Sequence, residues 1–239
     1  MITTDQIRQI AVKAQTNETN IRREYLQQLL LRYFYQLDGS DKILFKGGTS
    51  LRLVYHSPRF SEDLDFSCLI DQSNEIERLI QETLVQVNRE NVGVDITEAK
   101  PTIGGYLSII NFEANNQKTS IQLQFSFRLG KSTGELTTVS GDYFPPFIIT
   151  GLAKSQLIAE KVQALLSRQK PRDFYDLYYI LRANLLDVDQ RSVLSDVQKV
   201  LDQTKLDFDK ELKIFLPQSH WLIIRDFKDN LKREIERLI

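Results

Sequence analysis

The run Lys46-Gly47-Gly48-Thr49-Ser50-Leu51-Arg52 and the run Phe60-Ser61-Glu62-Asp63-Leu64-Asp65-Phe66 hold the residue types best suited to chemistry. Two glycines without Cβ atoms let backbone approach an anion closely. The helix expected behind them offers unpaired amide hydrogens, and Thr49 and Ser50 offer hydroxyls. Alternation along a strand puts Asp63 and Asp65 on one face, with Leu64 and Phe66 on the other. Two neighbouring carboxylates repel unless a cation lies between them. Mg2+, or Mn2+ in its place, is held by one or two carboxylates together with substrate phosphates. The pairing therefore suits metal-assisted transfer from a nucleoside triphosphate. Taken singly, each piece also has a plain reading, a capped strand–turn–helix for the glycines and a solvated strand face for the acids.

A second group lies further on. Glu160-Lys161, Leu165-Leu166 and Arg168 precede Pro171-Arg172-Asp173-Phe174-Tyr175-Asp176-Leu177. Lys161, Leu165 and Arg168 recur at helical spacing, and Asp173 and Asp176 share a face of the next helix. Spacing alone is equally served by exposed ion pairs, which are worth little. Lys46, Arg52, Arg59, Lys161, Arg168 and Arg172 are the cations from which a basic cleft for the single-stranded end of an RNA would be built. Arg59 and Arg52 otherwise read as surface residues. His56 and His220 lack partner motifs and read as structural. Tyr175, Tyr178, Tyr179 and Trp221 read as packing residues rather than base-stacking ones. No zinc spacing, Gly-x-Ser-x-Gly elbow or Walker lysine motif is present.

These residues need elements to position them. Residues 4–14 and 18–37 read as helices, 42–46 as a short strand, 49–55 as the helix behind the glycines, and 62–69 as the strand with the acids. An amphipathic helix over 74–89 precedes strands at 92–99, 106–114 and 119–129, with turns at Gly104-Gly105 and Asn115-Asn116. Residues 130–146 read as loop with a short strand. From Thr150 the pattern is helical: 152–169, then 171 to about 182 with Pro171 at the first position, then 189–203, 207–215 and 219–238. The expected division is an α/β domain over 1–150 followed by a helical domain over 151–239.

The bulk numbers agree with a folded globular chain. It has 239 residues, 41% hydrophobic and 26% charged, and a net charge of −1, so any nucleic-acid surface must be a local patch. Its single cysteine, Cys68, precludes an internal disulfide, suits a cytoplasmic setting and reads as core. The first residues lack the basic and apolar regions of a signal peptide, and no apolar run approaches the ~20 residues of a membrane span.

The words Phe45-Lys46-Gly47-Gly48-Thr49-Ser50-Leu51 and Phe60-Ser61-Glu62-Asp63-Leu64-Asp65-Phe66 resemble the AbiEii/AbiGii toxin family, nucleotidyltransferases of the DNA polymerase β-like superfamily. The later run resembles that family's further motifs, with Lys161, Arg168, Arg172, Asp173 and Asp176 at matching positions. The resemblance implies an α/β (α+β) fold, a polymerase β-like core with a small mixed sheet followed by a C-terminal helical bundle. It implies transfer of a nucleoside monophosphate from an NTP co-substrate to an acceptor hydroxyl, on RNA such as a tRNA 3′ end or on protein. Asp63 and Asp65 would hold the metal. Gly47, Gly48, Thr49, Ser50, Ser61, Arg59, Arg172 and Asp176 would serve the nucleotide, and Lys161 and Asp173 would complete the catalytic set from the helical domain. The chain would act as the toxin of a toxin–antitoxin or abortive-infection system, with a cognate antitoxin as partner. One position departs from the pattern: relatives carry an acid near Gln124. Slow chemistry, service by another acid such as Asp173, or a catalytically impaired nucleotide- or RNA-binding module of the same fold are the alternatives this leaves. A purely structural partner protein is the remaining class, and it would show no NTP-dependent thermal shift.

Overall fold

The computed structural model describes residues 1–128 and 132–239. They form two compact units, one of residues 1–56 and 60–153, the other of residues 57–59 and 154–239.

The first unit opens with α1 (Thr4–Lys13), capped by a reciprocal Thr3/Gln6 box, and α2 (Glu18–Phe34), capped by the Asn17 side chain. Strand β1 (Ile43–Lys46) leads directly into α3 (Gly47–Leu53). Then come β2 (Leu64–Cys68), α4 (Ser73–Arg89), β3 (Gly93–Thr102), β4 (Gly105–Ala114), β5 (Gln117–Phe127), β6 (Gly134–Val139) and β7 (Phe147–Leu152). Among the described residues these strands form one mixed sheet, ordered β3-β4-β5-β2-β1-β7-β6. The β2/β5 and β1/β7 pairs are parallel and the other pairs antiparallel.

Alternation along β1, β2 and β5 sorts the sheet's two faces. Phe45, Phe66 and Phe125 fall on one, in register, and are fully buried with Phe34 of α2. The Phe66 and Phe125 rings stack with centroids 4.7 Å apart. Residues of α2 and α4 cover this face, and Cys68 lies in the same core, where burial pushes its thiol up to about 12. The opposite face therefore receives Lys46, Asp65 and Gln124, which are also in register.

Several sequence expectations change. Helix α2 stops at Phe34 rather than 37, and the Tyr35 hydroxyl instead donates to the carbonyls of Ile43 and Thr150 at 2.7 and 3.1 Å. Helix α3 begins at Gly47, not Thr49, so the glycines are its first turn. The acid-bearing strand starts at Leu64, which leaves Asp63 just before it. The first hairpin turn is centred on Ile103 and Gly104, because Gly105 already pairs with Thr102. Asn115 and Asn116, at φ 53° and 57°, make the expected second turn. The expected strand end at Leu129 and loop start at Gly130 lie outside the described residues. Residues 147–152 form β7, an interior strand beside β1, whereas a helix was expected from about 150.

The second unit is helical: α5 (Lys154–Arg168), α6 (Pro171–Arg182), α7 (Leu194–Gln203), α8 (Phe208–Leu212), α9 (Trp221–Arg225) and α10 (Phe227–Glu236). The helix expected over 189–203 begins as a tight 3-10 segment, Val188–Val193, and the one expected over 219–238 breaks at Asp226. Phe174, Phe208 and Phe227 interlock, and Tyr175 stacks on Phe227 at 6.0 Å. The Tyr175 hydroxyl lies 3.0 Å from His220 Nδ1. Trp221 is more open than a packing residue, with Lys213 Nζ 5.7 Å above its ring.

Candidate nucleotide site

The first unit brings Gly47 and Asp65 into direct apposition. Gly47 has φ +84°, a conformation that costs an L side chain. A Cβ added there would lie 2.8 Å from Asp65 Cβ and 2.9 Å from its carboxyl carbon. The Asp65 carboxylate thus occupies the space that glycine vacates, over the backbone where β1 becomes α3. Asp63 is fixed through its main chain: the Thr49 hydroxyl donates to the Asp63 carbonyl at 2.5 Å. Thr49 is therefore turned to the protein, not toward an anion as its sequence position suggested. Ser50 is buried on the same helix, and Ser61 is half-buried.

Gln27, Glu24 and Tyr143, which the sequence did not single out, help hold the segments around the acids. Gln27 of α2 donates its side-chain amide to the carbonyls of Ser61 and Glu62 at 3.1 and 3.0 Å. Arg52 of α3, expected as a cleft or surface cation, pairs instead with the buried Glu24 of α2 and lies 3.5 Å above the Phe60 ring. Tyr143 donates to the same Glu24 at 3.1 Å. No local pattern announces these partners, because each joins distant segments. Removing the Thr49 hydroxyl should loosen Asp63: Thr49→Val is expected to cost about 1–3 kcal/mol by leaving a carbonyl unsatisfied. Thermal unfolding followed by circular dichroism checks this, with Thr49→Ser staying close to wild type.

The donor set fits Mg2+. Among the described residues no group of three or more His, Cys, Asp or Glu is placed to cage a metal. Asp65 beside Gly47 and Asp63 two residues before it offer two hard carboxylates, the number that suffices when substrate phosphates complete the shell. Gln124, the ladder neighbour of Asp65, is exposed and adds an amide rather than a third acid.

The second unit gathers another set. Asp176 receives Arg59 Nε at 2.7 Å on one oxygen, and a second Arg59 nitrogen at 2.9 Å and Lys161 Nζ at 2.8 Å on the other. The Arg59 and Asp176 side chains are 5% and 2% exposed, so this is a buried pair and not a surface one. Burial pushes the Asp176 carboxyl up, but Arg59 and Lys161 overcome it and hold the group at about 2. Asp173 is engaged at both oxygens, by Arg168 at 2.7 Å and by the Lys170 amide at 3.2 Å. It caps α6, with the Lys170 amide as the donor it receives at the helix start. Arg172 is half-buried on the same helix.

The fold is shared with solved structures from Helicobacter pylori. JHP933 superposes with a TM-score of 0.70 at 19% identity, covering 93% of each chain. A candidate nucleotidyltransferase from that organism gives a TM-score of 0.61 at 20% identity, covering 93% of this chain and 99% of the other. No curated protein sequence matches. The class these comparisons define is a mixed α/β protein of nucleotidyltransferase-like fold. More narrowly, residues 28–238 match the family "Nucleotidyl transferase AbiEii toxin, Type IV TA system", and the chain belongs to that family. The family is one of nucleotidyltransferase toxins of type IV toxin–antitoxin systems, and membership implies an antitoxin partner. Among the described residues no helix is long and apolar enough to cross a membrane.

Proposed function

We propose that the chain moves a nucleoside monophosphate from an NTP to an acceptor hydroxyl, on an RNA such as a tRNA 3′ end or on a protein, and releases pyrophosphate. The observation that carries this is the Asp65 carboxylate lying over the bare Gly47 backbone, with the Asp63 main chain held by Thr49. Asp63 and Asp65 would hold Mg2+, or Mn2+, on the triphosphate. When bound there, the ion supplies positive charge to the reacting phosphate and its leaving group. Gly47 and Gly48, with Ser50 and Ser61, would receive the phosphate oxygens. From the second unit, Lys161 is proposed as a further cation for the phosphates, oriented by Asp176. Fixed positive groups of this kind help most where charge builds up in the transition state.

Gln124 favours a second reading, a nucleotide- or RNA-binding module that turns over slowly or not at all, since an amide beside Asp65 cannot accept the acceptor's proton. Incubation with labelled NTPs, Mg2+ and total tRNA separates the two. Transfer is expected in wild type and lost by at least about a hundredfold in Asp63→Ala. Nucleotide binding without incorporation under any NTP would establish the module instead.

A further inference from the structure

The acids have a fixed neighbour to which the proposed reaction assigns no part. Lys46 is the last residue of β1, immediately before Gly47, and its Cα pairs with that of Asp65 across the antiparallel β1/β2 ladder. Phe45, one residue earlier, pairs with Phe66 and faces the core, so Lys46 and Asp65 leave the sheet together on the other side. Directly opposed residues of such a pair hold their Cβ atoms about 4.5–5.5 Å apart. Lys46 is only 7% exposed, so its side chain is held against the protein rather than extended into solvent. On its other flank Asp65 meets Gln124, which is neutral. Read across the sheet, the row is cation, acid, amide, with Asp63 the second acid close by.

We propose that Lys46 is a further residue of the nucleotide site, its ammonium acting as the built-in cation of the acid pair, so that one divalent ion per bound nucleotide completes the charge balance instead of two. This rests on the nucleotidyl-transfer reading. Two carboxylates and one ammonium leave a single net negative charge, which one divalent ion reverses to a single positive charge facing the triphosphate. A second ion would stand close to both the first ion and Lys46, with no third carboxylate from Gln124 to offset the repulsion. Before nucleotide arrives, Lys46 competes with metal for the same acids.

The test is Mn2+ binding to the full chain, read by electron paramagnetic resonance, without nucleotide and with the α,β-imido analogues of ATP, CTP, GTP and UTP. Wild type is expected to bind one Mn2+ per chain with the analogue it accepts. Lys46→Met keeps the apolar stem and removes the charge. It is expected to bind Mn2+ at least about tenfold tighter without nucleotide, and to admit a second ion with it. Lys46→Arg should behave as wild type. Two Mn2+ ions in wild type, a count that needs no variant to fold, would overturn the role of Lys46 while leaving the nucleotide site standing. So would unchanged Mn2+ affinity and stoichiometry in a Lys46→Met protein with a normal melting transition. Wild type that binds neither Mn2+ nor any of the four analogues would overturn the reading of the site itself and Lys46 with it.

Discussion

Gly47→Ala is expected to cut nucleotidyl transfer by at least about a hundredfold, the scale associated with displacing a reacting group by an ångström. Two effects act in the same direction. The added methyl would have to share space with the Asp65 side chain, whose Cβ lies 2.8 Å from where it would sit. Alanine must also take φ +84°, which costs about 1–2 kcal/mol. Either the methyl displaces the carboxylate or the backbone rotates away from it, and both outcomes separate the acid from the glycine bend. Global stability should fall by no more than a few kcal/mol, because α3 remains anchored by Arg52–Glu24 and Thr49–Asp63. Incorporation of labelled NTP, measured beside a thermal melt, checks both halves. A Gly47→Ala protein with transfer within about threefold of wild type would show that the Asp65–Gly47 apposition does not set the reaction geometry.

The largest stability effect should come from the second unit. Arg59→Ala leaves the buried Asp176 facing Lys161, at 2.8 Å, without its guanidinium partner. Breaking a buried ion pair from one side costs about 3–5 kcal/mol. For a chain of this size that lowers the melting temperature by about 10 °C. The same pair gives acid sensitivity a defined window. The Asp176 carboxyl titrates at about 2 in the folded protein, below its usual value of 3.8. A lowered folded-state value means the stabilisation is fully present above about pH 4 and is lost as pH falls through about 2, an amount of about 2 kcal/mol. Asp176→Asn should melt lower than wild type at neutral pH, and the gap should narrow on acidification through that window. A gap that is constant from pH 6 to pH 2 would rule out the ionised pair as its source.

Local words carried much of this into the sequence. The glycine pair at a strand-to-helix junction, Pro171 at a helix start and the Asn115-Asn116 turn are short-range signals that the structure bears out, while the helix includes the glycines and the strand begins only after Asp63. What stayed hidden was long-range. Phe147-Ile148-Ile149-Thr150-Gly151-Leu152 is a short, largely apolar run that leads into a helix, and an interior strand of that kind lacks the strict alternation that would distinguish it. Arg52 looked like a cleft cation until Glu24, twenty-eight positions earlier, claimed it. Arg59 and Asp176 are 117 positions apart, so their pairing left no trace in spacing. The helix-capping bond from the Lys170 amide to Asp173 was likewise not foreseen, because the letter alone does not show what a carboxylate accepts.

Residues 57–59 are grouped with 154–239, although the chain on either side of them belongs to the other unit. Dividing the polypeptide after position 153 would therefore not yield a self-sufficient helical fragment. It would strand Asp176 without its guanidinium, and an excised 154–239 peptide should be poorly soluble or aggregate unless the Ser57–Arg59 segment is supplied in trans or grafted on. Fragment-complementation designs, reporter fusions and truncation screens on this protein inherit that rule from a single tripeptide.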